Sequence, residues 1–423
     1  MKKTITLLYT LCCLISFAQQ TPAPEQTKAI TIEGATAHIG NGEVIENALI
    51  MFEGGKITYI GSALTKIARK GEVIDAKGKH VYPGFIAPNT TLGLVEIDAV
   101  RASDDDAEMG LWNPNVRSLI AYNAESKVVE SMRPNGVLLG QITPRGGFLS
   151  GTSSIVQFDA WNWEDAAVKV DDAVHLNWPR TFRRRRGNVS VNKDYDKQTE
   201  QITTYFTNAK AYLGGAKTPT HLPFESLSGV FNGSQKLFIH ADEEKGIIEA
   251  VNFAKTFNLK NIVIVGGAEA YKTTKLLKDN NIPVVLMRTH SLPGLDDSDY
   301  DLPYKMAKLL TDAGITVALE TSGDMERMNT RNLPFYAGTT VAHGLTKTQA
   351  LQLITLNAAK ILGIDANYGS LESGKSATLF ISEGDALDMR TNIISEAFID
   401  GRSISLETHQ TTLWRRYSKK LEN

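Results

Sequence analysis

A hydrophobic run that enters a turn, residues 81–94, presents Asn89 and Thr91 with one residue between them. Side chains at that spacing share one face of a strand, so a pair of imidazoles there could hold a divalent metal. Neither an amide nor a hydroxyl replaces neutral imidazole as a ligand for zinc. A second chemistry-bearing strand end is Leu237-Phe-Ile-His240, which places an imidazole after an apolar run. His290 follows another apolar run and could line a pocket, although a loop histidine is more often at the surface. Arg183 to Arg186 are four consecutive arginines. Their simplest reading is a solvated loop, the alternative being a clamp for phosphate or carboxylate, which guanidinium forks bind bidentately. No nucleophile elbow and no phosphate-binding glycine loop with its lysine occurs.

The elements that position these groups follow from hydrophobic pattern. In residues 28–82, strand formers at 29–32, 48–52 and 56–60, with Gly54-Gly55 as a hairpin turn, predict one sheet of a small β-sandwich. Its partner strands are predicted in 374–382 and 396–402. Between them, strands at 237–240, 261–266, 283–287 and 315–319 alternate with helices at 243–256 and 269–278, the signature of βα units and a parallel sheet. Residues 346–362 predict one amphipathic helix with a start signal at Thr346. The fold class expected is therefore α/β: a (β/α)8 TIM-like barrel over 83–367, inserted in a composite β-sandwich formed by 28–82 and 368–405. Residues 95–235 are expected to be an insertion in the barrel.

Residues 1–18 read as a cleaved signal peptide: Lys2 and Lys3, a short apolar run over 5–15, and Ser16-Phe17-Ala18 before Gln19. The apolar run is too short to span a bilayer, and no later segment is long enough. Leu11-Cys12-Cys13 lacks the small residue that lipidation requires. The expected location is periplasmic or extracellular. Both cysteines leave with the leader, so core packing rather than disulfides must stabilise the mature chain. The formal charge is −2, and loss of Lys2 and Lys3 makes it two units more negative. That balance argues against nucleic acid or a membrane surface as the main partner.

Several stretches in order resemble the amidohydrolase superfamily, in its imidazolonepropionase-like branch. Val73-Ile-Asp-Ala-Lys-Gly-Lys-His-Val-Tyr-Pro-Gly-Phe-Ile86 looks like the passage from sandwich to first barrel strand. Residues 136–147 with Leu149-Ser-Gly-Thr152 resemble a family strand and glycine-rich loop. Ile239-His-Ala-Asp242 resembles Ile-His-Ala-His, Val265-Gly-Gly267 falls where Glu-His-Gly is frequent, and residues 351–360 with 369–379 resemble the closing signature.

The resemblance implies a hydrolase of non-peptide C–N bonds, using one or two metals, zinc in many members, to activate water. Carried over residue by residue, the first-strand pair falls on Asn89 and Thr91, and the fifth-strand histidine on His240, with Asp242 where a second histidine is common. The sixth-strand histidine falls on Gly266, and the eighth-strand aspartate on Ser322 within Glu320-Thr-Ser-Gly-Asp324. His240 and Asp242 are thus the candidate metal ligands, and Glu320 and Asp324 the candidate catalytic carboxylates. Together these four would suit a hard divalent cation better than zinc. Asn89, Thr91, Arg145 and His290 are the candidate substrate-binding residues. The leading expectation is a degenerate member that keeps its pocket for a small-molecule ligand. The alternatives are an active one-metal hydrolase on His240 and nearby carboxylates, or an interaction subunit that pairs with an active relative or with itself.

Overall fold

The computed structural model describes residues 21–185, 188–293, 298–323 and 325–421. The leader at 1–18, Arg186 and Asp324 lie outside them. Strands β1 (Ile30–His38), β2 (Val44–Glu53), β3 (Lys56–Ser62), β4 (Glu72–Asp75) and β5 (His80–Pro83) come first. The barrel strands follow: β6 (Phe85–Thr90), β7 (Val137–Ile142), β8 (Leu149–Gln157) and β9 (Ala167–Asn177). After a hairpin, β10 (Phe182–Arg185) and β11 (Asn188–Val191), come β12 (Lys236–Ala241), β13 (Ile262–Gly266), β14 (Val284–Leu286) and β15 (Val317–Leu319). The last strands are β16 (Leu379–Ser382), β17 (Ile394–Ile399) and β18 (Arg402–Ser403).

Strands from both chain ends share one eight-stranded sheet, in the order β18-β17-β16-β5-β1-β2-β3, with β4 on β1. The junction is antiparallel, Leu379 opposite Pro83 and Ile381 opposite Val81. Ile32, Ile50, Phe52, Val81, Leu379 and Phe398 form a core from sheet residues, so this sheet encloses its own apolar interior. The sheet is tied to the barrel by charge. Asp159, only 2 % exposed at its side chain, takes Arg133 at 2.8 Å and Arg402 at 3.1 Å.

The second eight-stranded sheet, β15-β14-β13-β12-β9-β8-β7-β6, is a nearly closed barrel. Its interior is filled by Ile86, Leu139, Ile155, Ala173, Phe238, Val263, Val285 and Ala318. Residues 95–235, expected to be an insertion, supply three of its strands. β8 is antiparallel to both β7 and β9, a departure from uniform βα alternation. Residues 143–148 are too few for the crossover that a parallel pair needs, so the chain turns back as a hairpin. No ladder joins β15 to β6. Backbone fills the seam: Leu319 N–H donates to Leu353 O at 3.2 Å and Ile86 N–H to Ile354 O at 2.9 Å.

That seam breaks the single helix predicted over 346–362. The main helices are α1 (Tyr195–Leu213), α2 (Glu244–Phe257), α3 (Leu302–Asp312), α4 (Leu333–Ala342), α5 (Lys347–Gln352), α6 (Leu356–Leu362) and α7 (His409–Ser418). Thr346 caps α5 with a full capping box, as its position predicts. α6 plugs the barrel where the strands begin. Lys169 donates to Leu362 O at 3.0 Å, and Lys236 to Ile361 O, cations at a helix C-terminus as the dipole favours. Among the described residues no helix is long and apolar enough to cross a membrane.

Candidate functional site

A cavity of about 590 Å³ opens where the parallel strands end, and it is lined by Asn89, Thr91, Arg145, His240, Asp242, Gly266 and Glu320. Alternation along the strands puts them there. His240 shares a face with Phe238, and Glu320 shares one with Ala318, so the side chains that follow the apolar filling are polar.

Asn89 organises the floor. It is 3 % exposed and has φ of 53°, a left-handed conformation that asparagine tolerates better than most residues. Its N–H donates to Gln141 Oε1 at 3.1 Å, and its side-chain Nδ2 donates to Glu320 Oε2. Arg145 grips the same residue twice, Nη1 on Asn89 Oδ1 and Nη2 on Asn89 O, both at 2.9 Å. A guanidinium, an amide and a carboxyl therefore form one hydrogen-bonded chain. Burial pushes the Glu320 carboxyl up to about 7, against the opposing effects of Ser322, Asn89 and Arg145. Thr91 is held differently: its N–H and Oγ1–H both donate to Glu326 Oε2, at 3.0 and 2.7 Å.

His240 belongs to a second chain. Its Nε2 lies 2.9 Å from His175 Nδ1, and His175 Nε2 lies 2.9 Å from Ser153 Oγ. Ser153 donates to Asp172 Oδ1 at 2.7 Å, and Gln141 Nε2 donates to Asp172 Oδ2 at 2.8 Å. With the serine hydroxyl committed to Asp172, the network assigns the tautomers: His175 donates from Nε2 and accepts at Nδ1 from His240 Nε2–H. Burial holds both imidazoles low, His240 at about 3 with Arg145 adding to the effect, and His175 well below its ordinary value with His240 and Arg145 adding to it. Both rings are neutral at pH 7.

Asp242 turns toward Arg180, whose Nη2 lies 2.9 Å from Oδ2. Burial pushes its carboxyl up, with Arg180 opposing. Gly266, at φ of 92°, leaves room for it: a Cβ there would lie 2.3 Å from Asp242 Oδ1. The β10–β11 hairpin is fixed beside the cavity by Glu243, which accepts the N–H of Thr181 at 2.6 Å. In the arginine run, Arg183 pairs with Asp194 at 2.5 Å.

The structure thus brings Asn89, Thr91, Arg145, His240, Asp242 and Glu320 to one cavity. His290 stands apart: it is exposed, bonds Thr339 at 2.6 Å, packs on Tyr336 and does not line the cavity. Asp324 falls outside the described residues. Sequence reading passed over His175, Asp172, Ser153, Gln141 and Glu326. The buried stretch Asp172-Ala-Val-His175 carried a signal, since an acid and an imidazole inside an apolar strand need partners.

A divalent metal does not fit what is described. His240 Nε2 is used by His175, Asp242 by Arg180, and the Asn89 amide by Arg145 and Glu320. Among the described residues, no group of three or more His, Cys, Asp or Glu side chains is placed to hold a metal ion.

Residues 304–404 match the amidohydrolase family. An imidazolonepropionase of Symbiobacterium thermophilum is 35 % identical over 374 residues, covering 80 % of this chain and 84 % of that protein. A 5-methylthioadenosine/S-adenosylhomocysteine deaminase of Thermococcus sibiricus is 25 % identical over 410 residues, covering 90 % and 92 %. Among solved structures, an amidohydrolase from Thermotoga maritima superposes with a TM-score of 0.76 at 24 % identity, covering 89 % of this chain and 99 % of that one.

Proposed function

Because this chain belongs to the amidohydrolase superfamily, in its imidazolonepropionase-like branch, we propose that it is an exported member that binds a small polar ligand in the strand-end cavity without the metal centre that the family resemblance implies. Hydrolysis of C–N bonds is the chemistry its relatives suggest. The ligand sought is therefore a small molecule carrying an amide, imide or amidine group. In this reading the two chain ends form one composite unit around the barrel.

The observation that carries the reading is the Arg145–Asn89–Glu320 chain. Its guanidinium is hydrogen-bonded to Asn89, the position on which the family resemblance would put a first-strand imidazole. A fixed guanidinium has donors left over after Asn89 and suits a carbonyl or carboxylate oxygen of a ligand. Asn89 positions that cation and the Glu320 carboxyl together. Glu320, its carboxyl raised to about 7 by burial, adds a donor below that pH, and the neutral histidines add polarity without charge. These are the features of a binding site for a polar molecule.

Metal analysis of the purified protein tests this directly, as isolated and after dialysis against zinc, magnesium and calcium. Substoichiometric metal is expected in all cases, with small cyclic amides binding equally well before and after chelation. One equivalent of metal that is lost on His240→Ala, together with hydrolysis of those amides that a chelator stops, would overturn it.

A further inference from the structure

Helix α7 buries none of its residues. Trp414 is 70 % exposed, Tyr417 62 % and Leu421, in the turn that continues the helix, 87 %. At spacings of three and seven these three fall on one stripe of the helix. Arg415, Arg416, Lys419 and Lys420 lie on the side of the helix away from that stripe, and residues 409–421 contain no Asp or Glu. Arg415 reaches back 2.7 Å to Glu407, and Arg416 lies over the Tyr417 ring at 5.8 Å. The helix is rooted at its start, where Thr408 caps it and His409 N–H donates to Glu130 Oε1 at 2.6 Å.

A helix with an aromatic and aliphatic stripe and a dense basic face has two needs: an apolar medium for one side and anions for the other. An anionic bilayer surface supplies both at once. Trp and Tyr settle at the headgroup level, while Lys and Arg on long stems reach the lipid phosphates. Charge selects this occupant, since a two-fold contact through this helix in a second copy would bring a basic face to a basic face. The overall balance that argued against membranes holds for the whole surface, not for this patch.

We propose that α7 and the turn through Leu421 form a peripheral membrane anchor, selective for anionic lipid and independent of the cavity. The test is sedimentation of the full chain with vesicles of phosphatidylcholine alone or with phosphatidylglycerol added, at low and high salt. The protein is expected to pellet with the anionic vesicles, to stay in solution with the neutral ones, and to be released by salt. Trp414→Ala with Tyr417→Ala, and separately Arg415→Glu with Arg416→Glu, should each lower the partition at least about tenfold. These side chains are exposed, so an unchanged melting temperature will show that the fold is intact. No pelleting with anionic vesicles, equal pelleting with neutral ones, or indifference to either double substitution would overturn the anchor. So would a dimer in lipid-free solution that the aromatic double substitution abolishes.

Discussion

Glu320 offers a quantitative test of the cavity floor. Its side chain is 2 % exposed, and its proton is held until about pH 7 instead of leaving near 4.5. The folded state therefore binds more protons than the unfolded state between those limits, so stability falls as pH rises through the window. Fully ionised, the group costs the folded state about 3 kcal/mol relative to pH 4.5. Glu320→Gln removes the ionisation while keeping an oxygen to accept from Asn89 Nδ2. Relative to wild type, the variant should gain about 3 kcal/mol between pH 4.5 and 8, or about 4 °C in melting temperature for a chain of this size. Parallel thermal scans of both proteins across that range measure the difference directly, and shared pH effects cancel. A difference that stays constant, or shrinks as pH rises, would refute the buried protonated carboxyl.

Two substitutions probe the frame around it. Gly266→Ala should lower stability by about 3 kcal/mol, because its φ is 92° and the new Cβ meets Asp242 Oδ1 at 2.3 Å; an unchanged melting temperature would contradict the close approach. Asp159→Ala should lower it by about 3–5 kcal/mol by leaving Arg133 and Arg402 without their buried carboxylate, and a loss that high salt erases would mark the cluster as a surface pair instead.

The parallel strands of the second half were legible because each is built on a short apolar run, and most are followed by a helical period. Lys236–Ala241 with α2, and Ile262–Gly266, fall within a residue or two of expectation. β8 was not. All nine of its residues are buried, yet the strand carries Ser150, Thr152, Ser153, Ser154 and Gln157. Hydroxyls such as Thr152, donating to Pro114 O at 2.9 Å, are satisfied by partners far along the chain that composition does not reveal. The helix break at 353–355 was hidden for a similar reason. Periodicity reports which face is apolar, not that two backbone groups are claimed by the barrel seam. In the site, Asn89 and Thr91 were found through what they lack, whereas His175 depends on a register between β9 and β12 that sets it opposite Phe238 and so brings its ring within 2.9 Å of His240, two residues further along.

The outer sheet joins strands from the two ends of the chain, and this fixes an order of assembly. β1 and β5 exist early, but β5 gains β16 as its neighbour only after the whole barrel has been made. Closing so long a loop adds little to the equilibrium cost, since that cost grows slowly with length, yet contacts this distant in sequence form late. Throughout synthesis the growing polypeptide carries an open edge of unpaired N–H and C=O groups, a template for the wrong partner. Loss of the chain beyond residue 378 makes that condition permanent. A shortened product is an aggregation-prone fragment with its barrel uncovered, not a smaller working protein.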